Sequence, residues 1–430
     1  QRLNDRLTVA VRLQRRLGLG DAVTIGAGSM IGAGVFSAWG PATGAAGSGV
    51  LIGLVVAAAV AFCNATSSAQ LAAVHPESGG SYVYARRQLG APWGFLAGWG
   101  FVVGKTASCV AIALTAGAYL WPDHSRLVGI VAVAAVAMVN IGGLSRTVAV
   151  TKVLLAVSLV ALACVVIAGW STSTTSMDRI VPTDTTVAGV LRAGGFLFFA
   201  FAGYARIATL GEEVKDPAVT IPKAIPRALA GVLAIYAVVG VTVLAALSVD
   251  VISGSHAPLA LVVSASPLDW LSPVVRIGAG IAALGVLLNL VPGVSRTVLA
   301  MARRHELPGW FATIDERRSL PLRAEVAVAL VVIALTAAFD LRSAIGFSGV
   351  TILTYYAITN AACLTLPTTK RRWPRWLAIA GLAGCITLAV TLPLVSVVVG
   401  VAVLLTGLAL RRSLRRNLAA GVESVGRPGR

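Results

Sequence analysis

Apolar residues along this chain come in long, almost unbroken runs, not in the short alternations of a soluble protein. A membrane-crossing helix needs about 20 mostly apolar residues. Runs of roughly that length lie near 21–41, 46–72, 93–121, 126–142, 147–170, 187–211, 224–248, 271–301, 324–339, 343–366, 376–392 and 394–410. The pattern therefore predicts an all-α polytopic membrane protein of about twelve transmembrane helices. One transmembrane domain spans 21–410, between a polar segment 1–20 and a basic tail 411–430. Two connections, around 73–92 and 302–323, are long enough for small elements on the side of the termini. The Ser/Thr-rich stretch 171–186, with Pro182, reads as a loop on the other side.

Composition agrees: 57% of residues are apolar and 12% charged, with a mean hydropathy of +0.86, where a soluble domain is about a quarter charged. The net charge of +18 is explained by position. Most of the Lys and Arg fall in connections that the twelve-helix count puts on the side of both termini. Only Arg126, Arg179, Arg192, Arg276 and Arg342 lie opposite, and Lys105 and Arg206 remain inside spans. By the positive-inside rule both termini are cytoplasmic, and a nucleic-acid partner is excluded as the reason for the charge. The tail arginines Arg411, Arg412, Arg415 and Arg416 read as the same anchoring, ahead of a lipid-binding patch. The Arg-rich start leads directly into a span, so no cleavable signal peptide is expected.

Cys63, Cys109, Cys164, Cys363 and Cys385 are scattered singly through apolar runs, which suits packing and neither a disulfide framework nor a metal site. His75, His124, His256 and His305 fall in connections, with no neighbour at ligand spacing. No metal site and no cofactor are expected.

The informative feature is glycine. Span one carries Gly26, Gly28, Gly32 and Gly34 around Ser29, Met30, Ile31 and Ala33, and each glycine costs a helix about 1 kcal/mol relative to alanine. That predicts a local unwinding, which membrane depth tolerates only where protein or a watery cavity satisfies the freed backbone. Span six offers a counterpart from Gly194-Gly195 through Phe199, Ala200 and Ala202 to Gly203-Tyr204. The two interruptions lie five spans apart. That suggests repeats at about 21–170 and 187–366, extra helices at 376–410, and a midplane site between the breaks. Amides opening a second half-helix attract a carboxylate, and carbonyls closing a first half-helix attract an ammonium. The site suits a zwitterion.

Several motifs, in order, resemble the amino acid–polyamine–organocation (APC) superfamily of transporters. Gly32-Ala33-Gly34-Val35-Phe36 with Pro41 resembles its first-helix signature, and Gly79-Gly80-Ser81-Tyr82-Val83-Tyr84-Ala85-Arg86 its segment after span two. Gly211-Glu212-Glu213-Val214-Lys215-Asp216-Pro217, with Ile221-Pro222, is similar to the post-span-six motif of its cationic amino acid transporter branch. Arg296, Ala302-Arg303 and Leu307-Pro308 resemble the end of span eight. The resemblance covers about 20–310. It implies a LeuT-type fold, with five plus five inverted spans and two more at the C-terminus. It puts a substrate carboxylate at the amides of Ala33 and Gly34, beside Gly32, and the amine at carbonyls near Met30, Phe199, Ala200 and Ala202, beside Gly203. Phe199 stands where some members place an aromatic gate.

The chain departs from that pattern in ways that bear on substrate and coupling. The cationic branch often has Glu-Tyr in span three after Gly-Trp, whereas here Gly98-Trp99 is followed by Gly104-Lys105. Without that acid, a neutral amino acid is the expected substrate. Sodium-coupled relatives use paired hydroxyls in span eight, where this chain has Gly285 and Val286, so sodium is disfavoured. At the span-five position where proton-coupled relatives often carry lysine stands Ser158, and Lys152 nearer the cytoplasmic end reads as a positive-inside residue. Lys105 and Arg206 remain as intramembrane charges, which are functional by default. Lys105 is a candidate for coupling, Arg206 and Tyr204 for gating, and Glu212 and Glu213 for an inner gate with Arg86 or Arg87. Asn289, Pro292 and Gly293 suggest a kink in span eight.

These readings converge on a secondary active amino acid transporter in the cytoplasmic membrane, working by alternating access, with proton-coupled uptake of a neutral amino acid. An exchanger or a cationic amino acid or polyamine permease is the alternative within the class, and a non-transporting substrate sensor the alternative outside it. An intramembrane enzyme would need a catalytic set inside the spans, and the histidines are not there. The expected partners are a small-molecule substrate and membrane lipids, with no obligate protein partner and no nucleic acid.

Overall fold

The structure, a computed structural model, describes residues 17–75, 79–142, 148–183, 185–208, 214–315, 318 and 320–425. Among these, every extended run of the chain is helical and the bridges Leu17–Val214 and Asp315–Leu320 are isolated. Ten stretches are long and apolar enough to cross a membrane. Two further predicted runs form helices of 17 residues, Leu322–Ala338 and Arg375–Thr391. At 1.5 Å per residue these are shorter than an average bilayer core. The expected twelve runs are thus all helical, and ten meet the length of a span.

Span one is made of α1 (Leu19–Met30), α2 (Ala33–Ser37) and α3 (Trp39–Ala46), and span two is α4 (Val50–Val74). A short α5 (Gly80–Leu89) occupies the connection expected to hold a small element. It is followed by α6 (Ala91–Leu120), α7 (Ser125–Ile141) and α8 (Val148–Trp170). The sixth span is α9 (Val187–Phe201), a tight 3-10 turn at Ala202–Tyr204, and α10 (Ala205–Ala208). Beyond it run α11 (Pro217–Ala246), the short α12 (Val249–Gly254) and α13 (Pro258–Ser264), and α14 (Ser272–Arg303). The chain closes with α15 (Leu322–Ala338), α16 (Leu341–Leu364), α17 (Arg375–Thr391) and α18 (Leu394–Val425). Helices α12 and α13 fall in a stretch with no periodic signal of its own.

Helix α6 is the axle of the bundle, packed against α14 and α16 and buried over most of its length. The exposed apolar side chains concentrate on peripheral helices: Val153 and Val160 on α8, Leu330 on α15, and Leu394, Val395 and Leu405 on α18. That is the inverse of a soluble protein's surface, where an apolar belt has no solvent to face.

The glycine expectation needs one correction. Helix α9 runs unbroken through Gly194-Gly195, and the interruption comes later, at Ala202–Tyr204. The pair serves packing instead. A Cβ on Gly194 would meet Leu388 of α17 and the Gly53 carbonyl of α4, and one on Gly195 would meet Leu392 and the Leu388 carbonyl. Close helix approach is the commonest use of small residues in membranes.

Candidate functional site

The first break is at Ile31 and Gly32. Helix α1 ends at Met30, and Ile31 (φ −77°, ψ 74°) and Gly32 (φ −139°, ψ −142°) leave helical geometry. The chain re-enters a helix at Ala33. Ala38 is itself helical, the Ala38 N–H donating to the Gly34 carbonyl (3.0 Å) and the Ala42 N–H to the Ala38 carbonyl (3.1 Å). Helices α2 and α3 therefore form one continuous second half. Its first residues, Ala33, Gly34 and Val35, have N–H groups with no acceptor inside the helix.

The second break is gentler. The Ala202 N–H is shared between the carbonyls of Phe198 and Phe199, and the backbone tightens to 3-10 geometry over Ala202, Gly203 and Tyr204 before α10 resumes. The tightening shifts the carbonyls of this turn away from the α-helical ladder.

The fold puts the two breaks against each other. A Cβ on Gly34 would stand 2.6 Å from the Ala200 Cα, and one on Gly203 would collide with the Ser29 carbonyl and lie 2.7 Å from the Met30 nitrogen. Each interruption thus packs backbone to backbone on the other, an approach that only glycine permits. Tyr236 of α11 reaches between them. Its hydroxyl lies 2.7 Å from the Met30 carbonyl and 3.2 Å from the Ala200 carbonyl, so one proton is shared by an acceptor from each break. The Met30 carbonyl also accepts the Gly32 N–H (2.8 Å).

Lys105 joins the same site. It is 7% exposed, and its ammonium donates to the Ala202 carbonyl at 3.4 Å. A residue selected from sequence only as an intramembrane charge thus reaches the second break. Met30, Gly32, Ala33, Gly34, Phe199, Ala200 and Ala202 are all buried around this point. Tyr204 is also buried, its ring stacked on Tyr356 at 5.2 Å between centroids. Gly32 faces Val286 of α14, into which a Cβ on it would collide. Ser158 is buried on α8 and bonds its own helix through the Leu154 carbonyl (2.9 Å).

Other expected residues lie elsewhere. Arg206 is exposed on α10, just past the second break. Glu212 and Glu213 lie outside the described residues. Of Arg86 and Arg87, the residues expected to meet one of them, Arg86 pairs with Glu306 at 2.6 Å. Lys152 pairs with Asp21 at 3.0 Å where α8 meets the start of α1, an exposed contact that keeps it out of the site.

Three residues were not singled out from sequence. Tyr236 and Tyr119 are lone phenols in apolar helices, and a buried hydroxyl needs a partner, which was the available signal. Tyr119 donates to the Phe36 carbonyl (2.8 Å) and accepts the Leu259 N–H (3.3 Å), fastening the second half of span one to α13. Glu306, just past α14, is completely buried and accepts from Arg86 and from the Tyr82 hydroxyl (2.6 Å each). Burial first, then that carboxylate, holds the Tyr82 phenol above its usual pKa, so it stays a donor.

Residues 17–413 match the Amino acid permease family. An uncharacterized transporter of Mycobacterium tuberculosis is 54% identical over 409 residues, covering 94% of this chain and 93% of that protein. The branched-chain amino acid permease BcaP of Bacillus subtilis is 25% identical over 334 residues, 72% of this chain and 71% of that one. Cationic amino acid transporter 7, chloroplastic, of Arabidopsis thaliana is 26% identical over 383 residues, 81% of this chain and 65% of that one. The relatives thus carry names from both neutral and cationic substrates, so their names leave the substrate to the site itself. With its match to nearly the whole chain, its multi-pass helical bundle and its paired helix breaks, this chain belongs to the amino acid permease family within the APC superfamily and is a transporter, not an enzyme.

Proposed function

We propose that this protein accumulates a neutral, small apolar amino acid by proton-coupled alternating access, with spans one and six enclosing the substrate. The observation that carries this reading is the junction of the two breaks, with the Lys105 ammonium on the Ala202 carbonyl. The amides of Ala33 and Gly34 suit a carboxylate, by direct hydrogen bonds and by the dipole of the helix they open. The carbonyls of Phe199, Ala200 and Ala202 suit an ammonium. Ala, Gly, Met and Phe supply the rest of the lining, which suits a modest apolar side chain, with Phe199 as the aromatic that closes over it.

A cationic side chain wants a carboxylate or an aromatic cage in a buried site. Among the described residues the site supplies a lysine in place of an acid. Glu325 is buried too, but in the first turn of α15, bonded to Asn140 at 3.2 Å. Sodium wants oxygen ligands, and Val286 opposite Gly32 offers a methyl group. A proton suits Lys105, which can gain and lose one where arginine cannot. A substrate ammonium arriving at the Ala202 carbonyl displaces Lys105 from the acceptor it now holds, so binding and proton movement are linked through one atom. The basic end of the bundle, carrying Arg86, Lys152, Arg304, Lys370 and Arg411, faces the cytoplasm.

The test is uptake of radiolabelled neutral and cationic amino acids into proteoliposomes in sodium-free buffer, with and without an inward proton gradient. Wild type and Lys105→Met are compared. Gradient-driven accumulation of a neutral amino acid, lost in the variant, is the expected result. Strong arginine or lysine transport would overturn the neutral-substrate assignment. Exchange without net uptake would replace symport by antiport.

A further inference from the structure

A cavity of about 360 Å³ opens where α3, the end of α12 and the start of α16 meet, a size that suits a small molecule. It lies on the side that the positive-inside rule puts away from the cytoplasm. Pro41 comes from α3, Ser253, Ser255 and His256 from α12 and the residues after it, and Asp340 and Arg342 from the start of α16. Pro41 is buried, whereas His256, Asp340 and Arg342 are exposed, so the cavity presents its charged groups to water. Helix α3 is close-packed here. A Cβ on Gly40 would lie 2.5 Å from the Ser255 carbonyl oxygen, and one on Gly44 3.0 Å from the Arg342 Nη2. Pro41 belongs to the same continuous half-helix as Ala33, which sets the cavity about 12 Å outward of the amides that open it.

Arginine on this side of the bundle caps helices. Arg179 donates to the Ala245 and Ala246 carbonyls at the end of α11, Arg192 to the Thr391 carbonyl of α17, and Arg276 to the Tyr119 carbonyl of α6. Arg342 does the same for the six-residue α12, its Nη2 donating to the Ser253 carbonyl at 3.2 Å. Among the described residues that is the acceptor the guanidinium has, and the rest of its planar fork matches a carboxylate. Arg342 also shares its cavity with a carboxylate. Asp340 is held in place by the N–H and hydroxyl of Ser343, and its oxygens keep lone pairs for an ammonium. An α-amino acid carries the complementary pair of charges on one carbon.

We infer that this cavity is an outer recognition site for the α-carboxylate and α-ammonium of an amino acid. Arg342 takes the carboxylate and Asp340 the ammonium, before the molecule moves inward along span one. The incoming carboxylate competes with the Ser253 carbonyl for the same guanidinium, which links occupancy to the contact between α12 and α16. The site reads groups that all α-amino acids share. It therefore rests on amino acid transport itself and not on the neutral-substrate or proton-coupling reading.

The test places a thiol at the cavity with His256→Cys in the full-length protein, held in lipid nanodiscs and reacted with a membrane-impermeant maleimide. Labelling is timed with L-alanine, L-arginine, propionate or ethylamine present at equal concentration. Both amino acids should slow labelling, while the acid without an ammonium and the amine without a carboxylate should not. Adding Arg342→Gln should raise the alanine concentration needed for protection about tenfold, the worth of one charge-assisted pair. Arg342→Lys, which keeps the charge, should recover part of that loss. Arg126→Gln, on the same side but outside the cavity, and Lys105→Met, at the helix breaks, should leave protection unchanged. Failure of both amino acids to protect, equal protection by propionate or ethylamine, or unchanged protection in Arg342→Gln overturns the inference. Loss of protection in Lys105→Met also overturns it, because the protecting molecule would then sit at the breaks. Uptake of arginine in place of alanine would overturn the neutral-substrate reading and leave this site standing.

Discussion

Gly34, in the second half of the first broken helix, lies so close to Ala200 of the second that any side chain would stand 2.6 Å from the Ala200 Cα. This contact makes one site out of two distant interruptions. The two interruptions pack backbone on backbone, and the amides and carbonyls that suit a zwitterion converge because the helices touch there.

Gly34→Ala forces that contact apart. Overpacking of a tight interior costs about 1–3 kcal/mol, and this neighbour is backbone, which cannot rotate away. Thermal unfolding in detergent should fall accordingly, with uptake abolished. Gly231→Ala on α11 is the contrast, because a Cβ there meets nothing within 4 Å. That variant should be neutral or gain up to about 1 kcal/mol from helix propensity. Equal melting of the two variants would show that the glycine contact is not tight in solution.

Tyr236→Phe keeps the ring against Phe201, 5.2 Å between centroids, and removes only the proton shared by Met30 and Ala200. The expected loss is about 1 kcal/mol of stability. Substrate affinity, read by substrate-induced thermal shift, should weaken about fivefold, the equivalent of one tether. Wild-type affinity with reduced stability would make the hydroxyl a structural clip only.

Glu306→Gln leaves Arg86 and Arg411 facing each other without their counter-charge. Breaking a buried ion pair from one side costs about 3–5 kcal/mol, and a melting curve should show it. The double variant Glu306→Gln/Arg411→Gln should cost less than the two singles added, since the groups are in direct contact. Strict additivity would mean that Arg411 and Glu306 do not interact energetically.

Asp340 caps α16, accepting the Ser343 N–H at 2.9 Å and its hydroxyl at 2.7 Å. Burial pushes its carboxyl up, but the Ser343 donors, together with the backbone N–H groups of Arg342 and Asp340, outweigh it and the pKa ends below the ordinary 3.8. A lowered folded pKa gives stability that is present above the unfolded value and lost as pH falls through the folded one. Asp340→Ala should therefore cost about 1 kcal/mol at neutral pH, the usual worth of an exposed cap, and progressively less below pH 3.8. A cost independent of pH would assign the effect to the helix start alone and not to the charge.

Sequence by itself determined the bundle. Hydropathy depends on local composition, so α4, α6, α8, α11, α14 and α16 were legible as runs, and the glycines around Met30 marked an unwinding because they weaken the helix that contains them. The short α12 and α13 were not legible, having no periodic signal to compete with their turn residues. The exact place of the second break was not legible either. Gly194-Gly195 and Gly203 look alike as letters, and only the neighbours Leu388 and Ser29 separate a packing glycine from one at a break. Tertiary structure alone decided that Lys105 reaches Ala202 and that Tyr236 bridges Met30 and Ala200. It also decided that Arg86 takes Glu306, 220 residues away, as its partner. Helices in a membrane are apolar on nearly every face, so the pattern along the chain does not say which side meets which neighbour. Close backbone approach and the few buried polar groups choose the partners, and they act only once the helices are packed.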